Sequence, residues 1–297
     1  MLLNAQNIAG LTTGFRNNFN TGFNSAESHF NQIATTVPST TAKETYPWLG
    51  DLPGIRKWIG EREIHKLELH DYTIKNEPWE QTHSVDRDDI EDDTYGVYAP
   101  LFTNIGFETA RFPDQLVFEH LLNGFSVAGY DGQYFFDTDH VGYDENGAEI
   151  SYSNDGGGAG AAWFLLETRR PLKPLIFQER RAFDFQAMID PTDPNVFMKK
   201  EYVFGVEGRM NVGYGFHQMA YGSKQTLDAA SFNASYAGMM GQKKRSGKPL
   251  GIKPNLLVVG STNRATALEV VKAERAANGA TNINRDAVDV LVTEWLP

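Results

Sequence analysis

The longest helical pattern in the chain runs between Val85 and Phe125. Apolar residues recur there at helical spacing, at Val97, Leu101, Ile105, Phe112 and Leu116, with Leu121 and Leu122 near the end. Six carboxylates stand ahead of it: Asp86, Asp88, Asp89, Glu91, Asp92 and Asp93. Negative charge there suits the positive end of a helix, whose first backbone N–H groups lack partners. Pro100 is tolerable in a first turn, Gly124 marks a C-terminal cap, and Pro113 is expected to kink the helix or split it in two. From Gly96 to Asn123 such a helix reaches roughly 40 Å. The mean globular helix has only about 11–12 residues, so the pattern predicts the spine of a domain.

Ahead of the spine, Ile8, Leu11, Phe15, Phe19, Phe23 and Phe30 fall near one helical stripe in a segment rich in Asn, Ser, Thr and Gly. That stripe requires a partner surface, either on its own domain or on a neighbouring subunit. Val37 to Thr45 reads as an extended linker. In residues 46–84, Ile64, Leu67, Leu69, Tyr72 and Ile74 suggest strands around a turn at His70–Asp71. A lone hairpin is marginal in water, so this one must lie on something else. His65 and His70 sit amid Glu61, Glu63 and Glu68 without the HExxH spacing of a zinc site, and solvated charges are the reading they support.

After the spine, Asp131, Asp137, Asp139 and His140 form the best constellation for a metal or for acid–base work. Gly129, Gly132 and Gly142 make capped turns the alternative. Residues 151–162 read as a flexible surface loop. Short apolar runs at 175–177, 202–204 and 212–219 predict an antiparallel sheet. Arg169, Arg170, Lys173, Arg180 and Arg181 form a basic cluster, either solvated or paired with a neighbour's carboxylates. From Thr226 helix and strand alternate: a helix from Leu227 to about Gln242, a strand at Leu256–Val259, a helix from an N-cap at Ser261 to near Gly279, and a strand at Ala287–Val292.

The catalytic vocabulary is nearly empty. Gly213-Tyr214-Gly215 is not a dinucleotide fingerprint, Gly241 to Lys248 has the wrong glycine spacing for a phosphate loop, and no G-x-S-x-G occurs. Zero cysteines exclude disulfides and thiolate metal sites, and the net charge of −11 argues against a dedicated nucleic-acid binder. The N-terminus lacks the basic and apolar regions of a signal peptide, and no apolar run approaches the roughly 18–20 residues of a membrane span, so a soluble, intracellular chain is expected. No catalytic, cofactor-binding or metal residue is assigned. The metal-dependent enzyme alternative would use Asp131, Asp139 and His140.

The runs YPWLGDLPGIRKWIG, RDDIEDDTYGVYAP, DGQYFFDTDH, LKPLIFQERR and VGYGFHQMA, with VLVTEWL at the end, resemble the major head subunit of Mu-like phages and prophages, the gpT family. The resemblance is loosest in the N-terminal arm, near 155 and over 275–286. It implies an α+β chain with the tailed-phage major capsid fold of HK-ninety-seven type. The expected parts are an N-terminal arm at 1–41, an E-loop hairpin region at 42–84 and a spine at 85–125. Mixed peripheral and axial segments would follow at 126–225, and an α/β, axial segment at 226–297. The implied function is structural: hexamers and pentamers closing into an icosahedral head around packaged double-stranded DNA, assembled in the bacterial cytoplasm and carried in the virion. Copies of the chain itself, a scaffold or protease, a portal and decoration proteins would be its partners. Trp48, Trp58 and Trp79 are expected to anchor the E-loop on a neighbour. Some relatives cross-link a Lys to an Asn; Lys57, Lys66 and Lys75 lie in that region, but no motif carries the chemistry over. An encapsulin-like compartment is the alternative on the same fold.

Overall fold

A computed structural model of the chain describes residues 5–49, 71–92, 96–276 and 279–297. The N-terminal half opens with helices α1 (Ala5–Ser25) and α2 (Phe30–Ile33), then strands β1 (Ala34–Pro38), β2 (Lys43–Thr45), β3 (Thr73–Lys75) and β4 (Glu77–Asp86). Helices α3 (Arg87–Asp92) and α4 (Ala99–Leu122) follow. Beyond them come β5 (His140–Tyr143), β6 (Glu149–Tyr152), β7 (Asp155–Gly158), β8 (Trp163–Leu166) and β9 (Leu175–Met188). The remainder is α5 (Pro194–Lys199), β10 (Glu201–Tyr214), β11 (Ala220–Lys224), α6 (Ala229–Met240), β12 (Leu256–Val259), α7 (Arg264–Val271) and β13 (Asp289–Val292).

Two sheets organise these elements. A four-stranded sheet has the order β1-β9-β10-β4, with β1 parallel to β9 and the rest antiparallel. β9 and β10 form its 14-residue centre, joined by the short helix α5. A five-stranded mixed sheet has the order β13-β12-β8-β11-β7, and its central strand β8 (WFLL) is buried on both faces. Phe232, Met239, Ala267, Val270 and Val271 of α6 and α7 pack on this second sheet. Val117, Phe118 and Leu121 of the spine join residues from both sheets in one core.

The spine is continuous through Pro113, not split, and ends in a tight turn at Asn123–Phe125. Its acidic forerunner is a separate helix, α3, with Lys200 paired to Asp88. The buried face comprises Phe102, Ile105, Gly106, Thr109, Asp114, Val117, Phe118 and Leu121, whereas Val97 is 66% and Leu101 39% exposed. The predicted stripe meets this face at Ile105 and Leu121 but diverges from it at Val97 and Leu101, because part of the face is small or polar, Gly106, Thr109 and Asp114. A Cβ on Gly106 would overlap the Phe19 carbonyl oxygen and stand 2.9 Å from the Phe23 nitrogen. A Cβ on Gly22 would likewise overlap the Thr103 carbonyl oxygen and stand 3.0 Å from the Phe107 nitrogen. The backbones of α1 and α4 therefore touch at two facing glycines.

Several local expectations change. Residues 77–86 form edge strand β4 of the four-stranded sheet, paired along β10, instead of continuing the hairpin region. Asp155 and the three glycines 156–158 form β7, parallel to β11, not a free loop; a Cβ on Gly156 would come 2.7 Å from Ser223 Cβ. Helix α7 stops at Val271, well short of Gly279, and its N-cap is Asn263. No helix among the described residues is long and apolar enough to cross a membrane.

Candidate functional site

The structure offers three arrangements to examine: the docking of the arm, the root of the expected E-loop, and the acidic constellation after the spine.

The arm stripe is real, and its partner is the chain's own spine. Phe15 and Phe19 are buried beside Phe102, Ile105, Phe185 and Phe204, with the Phe15 and Phe102 rings stacked at 4.2 Å. At the end of the arm the buried carboxylate of Asp114 accepts from Ser28 Oγ (2.8 Å), the His29 nitrogen (2.9 Å) and the Phe30 nitrogen (2.7 Å). It thus satisfies the otherwise orphaned donors at the start of α2.

The β2–β3 pair brings Lys43 opposite Lys75 and Thr45 opposite Thr73. A buried polar network roots it on β9. Tyr46 donates to Gln178 Oε1 at 2.7 Å, and Gln178 Nε2 donates to Asn76 Oδ1 at 2.9 Å and the Ile74 carbonyl at 3.1 Å. Asn76 Nδ2 then donates to Ser39 Oγ at 2.8 Å, and Ser39 Oγ to Glu44 at 2.8 Å. Four donors, the Ser39 hydroxyl, the Thr40 and Thr41 backbone nitrogens and the Thr41 hydroxyl, hold the Glu44 carboxyl below its ordinary value, the Ser39 hydroxyl most of all. Two of the expected anchors serve this root within the chain. Trp48 packs against Tyr46 and Phe216; Trp79 donates to the Met210 carbonyl at 3.1 Å and packs on Phe112. Trp58, Lys57, Lys66, His65 and His70 lie outside the described residues; Lys75 pairs with Glu77 at 3.2 Å.

The constellation after the spine is only partly as expected. Asp131 and His140 do meet, with His140 Nδ1 2.7 Å from Asp131 Oδ2. Asp139 is exposed and stands outside the cluster, and Asp137 caps the backbone nitrogens of Tyr134 and Thr138. The third member is His217, between β10 and β11, whose Nδ1 lies 3.3 Å from the same Asp131 oxygen. The His140 and His217 rings stack with centroids 3.7 Å apart at 14°, and Tyr130 stacks on the other face of His217. Sequence gave no signal for His217, 77 positions beyond His140, because only the crossover between the sheets brings it back. Burial pushes the His217 imidazole down to about 3, assisted by His140. Burial works to raise the Asp131 carboxyl, but the hydrogen bond from His140 and the two imidazoles prevail, and it lies below its ordinary value.

These residues do not fit a metal ion. Two imidazoles on one ion at about 2.0–2.1 Å per bond hold their ring centres about 5 Å apart in tetrahedral geometry, well beyond the 3.7 Å of this stack. The metal-enzyme alternative loses its site.

The basic cluster is largely absorbed within the chain. Arg169 donates to Lys253 O at 2.8 Å and pairs with Glu167, Arg170 donates to Gly251 O at 2.8 Å, Lys173 to Asn31 O, and Arg181 pairs with Glu207 at 2.9 Å.

Comparison with known proteins agrees with this architecture. Residues 8–296 match the family described as Mu-like prophage major head subunit gpT. The chain is 41% identical to the Mu-like prophage FluMu major head subunit of Haemophilus influenzae, over 92% of this chain and 91% of that one. It is 38% identical to the major capsid protein of Escherichia phage Mu, over all of both chains. Among solved structures, the procapsid of bacteriophage JBD30 superposes with a TM-score of 0.87 at 46% identity, covering 99% of this chain and 100% of that one. The JBD30 capsid gives 0.78 at 34% identity, covering 99% of each. With an α+β fold shared with these capsid subunits and near full-length matches in sequence, the chain belongs to the Mu-like prophage major head subunit family, gpT, and is a structural capsid protein, not an enzyme.

Proposed function

We propose that copies of this chain form the hexamers and pentamers of an icosahedral phage head that encloses double-stranded DNA. The observation that supports this most is the superposition over 99% of the chain on a procapsid subunit. The encapsulin-like compartment is not favoured, because the family match spans residues 8–296 and names a phage head subunit. Shell cohesion would come from modest interfaces repeated by symmetry.

The two sheets suggest the division of labour. The four-stranded sheet with α1 and α4 is our candidate for the peripheral domain. The five-stranded sheet with α6 and α7 is our candidate for the axial domain at capsomer centres. The polar root of β2–β3 would then set the direction in which the E-loop leaves the subunit. DNA would be held without sequence preference, as befits a chain of net charge −11. A scaffold or protease, a portal and decoration proteins complete the proposed set of partners. The decorated JBD30 capsid, which carries minor capsid protein trimers, offers a parallel for the last.

Electron cryomicroscopy of particles recovered from cells producing the chain with its scaffold tests this reading. Five- and six-fold capsomers with β12 and β13 nearest their axes are expected. Particles with the four-stranded sheet at the axes, or without such capsomers, would overturn it.

A further inference from the structure

The stack of His140 and His217 over Asp131 is more elaborate than a turn requires. It joins three segments: the loop after the spine carries Tyr130 and Asp131, β5 carries His140, and the crossover from the four-stranded to the five-stranded sheet carries His217. Asp131 is ionised and accepts only, so His140 donates from Nδ1 and its Nε2 is a bare acceptor. That atom and His217 Nε2 are both buried without a partner among the described residues. A proton placed on either Nε2 would create a buried N–H with no acceptor, and two protonated rings 3.7 Å apart would repel.

Among the described residues β5 and β6 pair only with each other, as a two-stranded sheet, and such a hairpin is marginal alone. At its far end Lys243 lies 3.9 Å from Glu145, and the Gly147 turn packs closely on Arg245. At its base Asn154 accepts from the Asp137 nitrogen at 2.9 Å and donates to the Phe135 carbonyl at 2.8 Å and, more weakly, to the His217 and Ala220 carbonyls of the crossover at 3.3 Å each.

We propose that the Asp131–His140–His217 stack is an acid-released clasp, which holds the β5–β6 hairpin to the crossover between the sheets at neutral pH and lets it go when a ring takes up a proton. The titratable groups around the rings are few. Asp131 stabilises a first proton; Tyr130 against His217 and Tyr152 opposite His140 are phenols kept neutral, with burial raising both. Asp137 is turned away into backbone caps, and Lys243 and Glu145 sit at the distal end. The depressed His217 imidazole agrees with the geometry. An opened ring returns to its ordinary value near 6.5, so the open population rises as pH falls below about 6.5, roughly tenfold per pH unit for one histidine.

Hydrogen exchange on the full chain between pH 8 and pH 5, expressed as protection factors to remove the intrinsic pH dependence, tests the clasp. Protection over residues 138–153 and 215–219 should fall about tenfold per pH unit below about 6.5 and stay below that of the β12 amides, which exchange through global unfolding. The doubly substituted His140→Asn/His217→Asn chain keeps a donor near Asp131 but cannot take up the proton, and its hairpin protection should be flat with pH. Flat protection in the parent chain, or hairpin protection equal to that of the β12 amides at every pH, overturns the clasp without reference to any variant. A fall of the same size in the double variant also overturns it.

Discussion

Substituting Gly106 by Ala tests whether the arm belongs on its own spine. Intrinsic helix propensity alone favours alanine by about 1 kcal/mol. The structure opposes that gain, because the added Cβ would sit 2.8 Å from the Phe19 carbonyl carbon and 2.9 Å from the Phe23 nitrogen, both backbone atoms that cannot rotate away. The helices must part by more than half an ångström to restore ordinary contact. If they stay docked, overpacking costs about 1–3 kcal/mol. If they part completely, Phe15 and Phe19, now 6% and 3% exposed, lose their burial, at about 1.5–3 kcal/mol each. Set against the propensity gain, this leaves a net loss of about 0–2 kcal/mol if the helices stay docked and about 2–5 kcal/mol if they part. Gly14 is the internal control, since a Cβ there meets nothing within 4 Å. Gly14→Ala should be neutral or stabilising by up to about 1 kcal/mol. Urea unfolding gives the stabilities, and limited proteolysis of α1 reports docking directly. Equal stability and equal cleavage in the two variants would refute the docking argument.

Removing the hydroxyl with Tyr46→Phe leaves the buried Gln178 Oε1 without its donor and should cost about 1–3 kcal/mol; urea midpoints, with hydrogen exchange at β2–β3 rising first, check it. The spine carries a second acid-sensitive group. His120 is half-buried against Tyr214, with ring centroids at 4.1 Å, and desolvation of the ring pushes its imidazole from 6.5 down to about 4. A base with a depressed folded value binds fewer protons folded than unfolded, so its contribution is complete above about 6.5 and is lost as pH falls toward about 4. At pH 5 that loss is about 2 kcal/mol. His120→Phe should therefore lose about 2 kcal/mol less stability between pH 8 and pH 5 than the parent, read from urea midpoints at both pH values.

Periodicity made the arm and spine legible, because both carry apolar residues at helical intervals. It could not show how they pair, since the contact runs through Gly22 and Gly106, which leave no apolar signature. The central strands β9 and β10 were visible as apolar runs. β7 was not, because a strand of glycines at a crowded edge reads as a loop. Residues 77–86 were hidden for a related reason: a half-exposed edge strand of charged and polar residues resembles a hairpin arm. Two of the three tryptophans expected to reach a neighbour were claimed by their own subunit, Trp48 by Phe216 and Trp79 by Phe112. In the clasp, Asp131 and His140 were near in sequence and recognisable, while His217 depended on tertiary return. The family resemblance, by contrast, rested on the order and spacing of several motifs, a signal that spans the whole chain and survives local misreading.

Sedimentation velocity on the purified chain, with and without the proposed scaffolding partner, tests self-assembly most directly. The account predicts fast-sedimenting capsomers or closed shells in at least the scaffolded sample. A monodisperse monomer or dimer in both samples, over a wide range of salt and concentration, would contradict it.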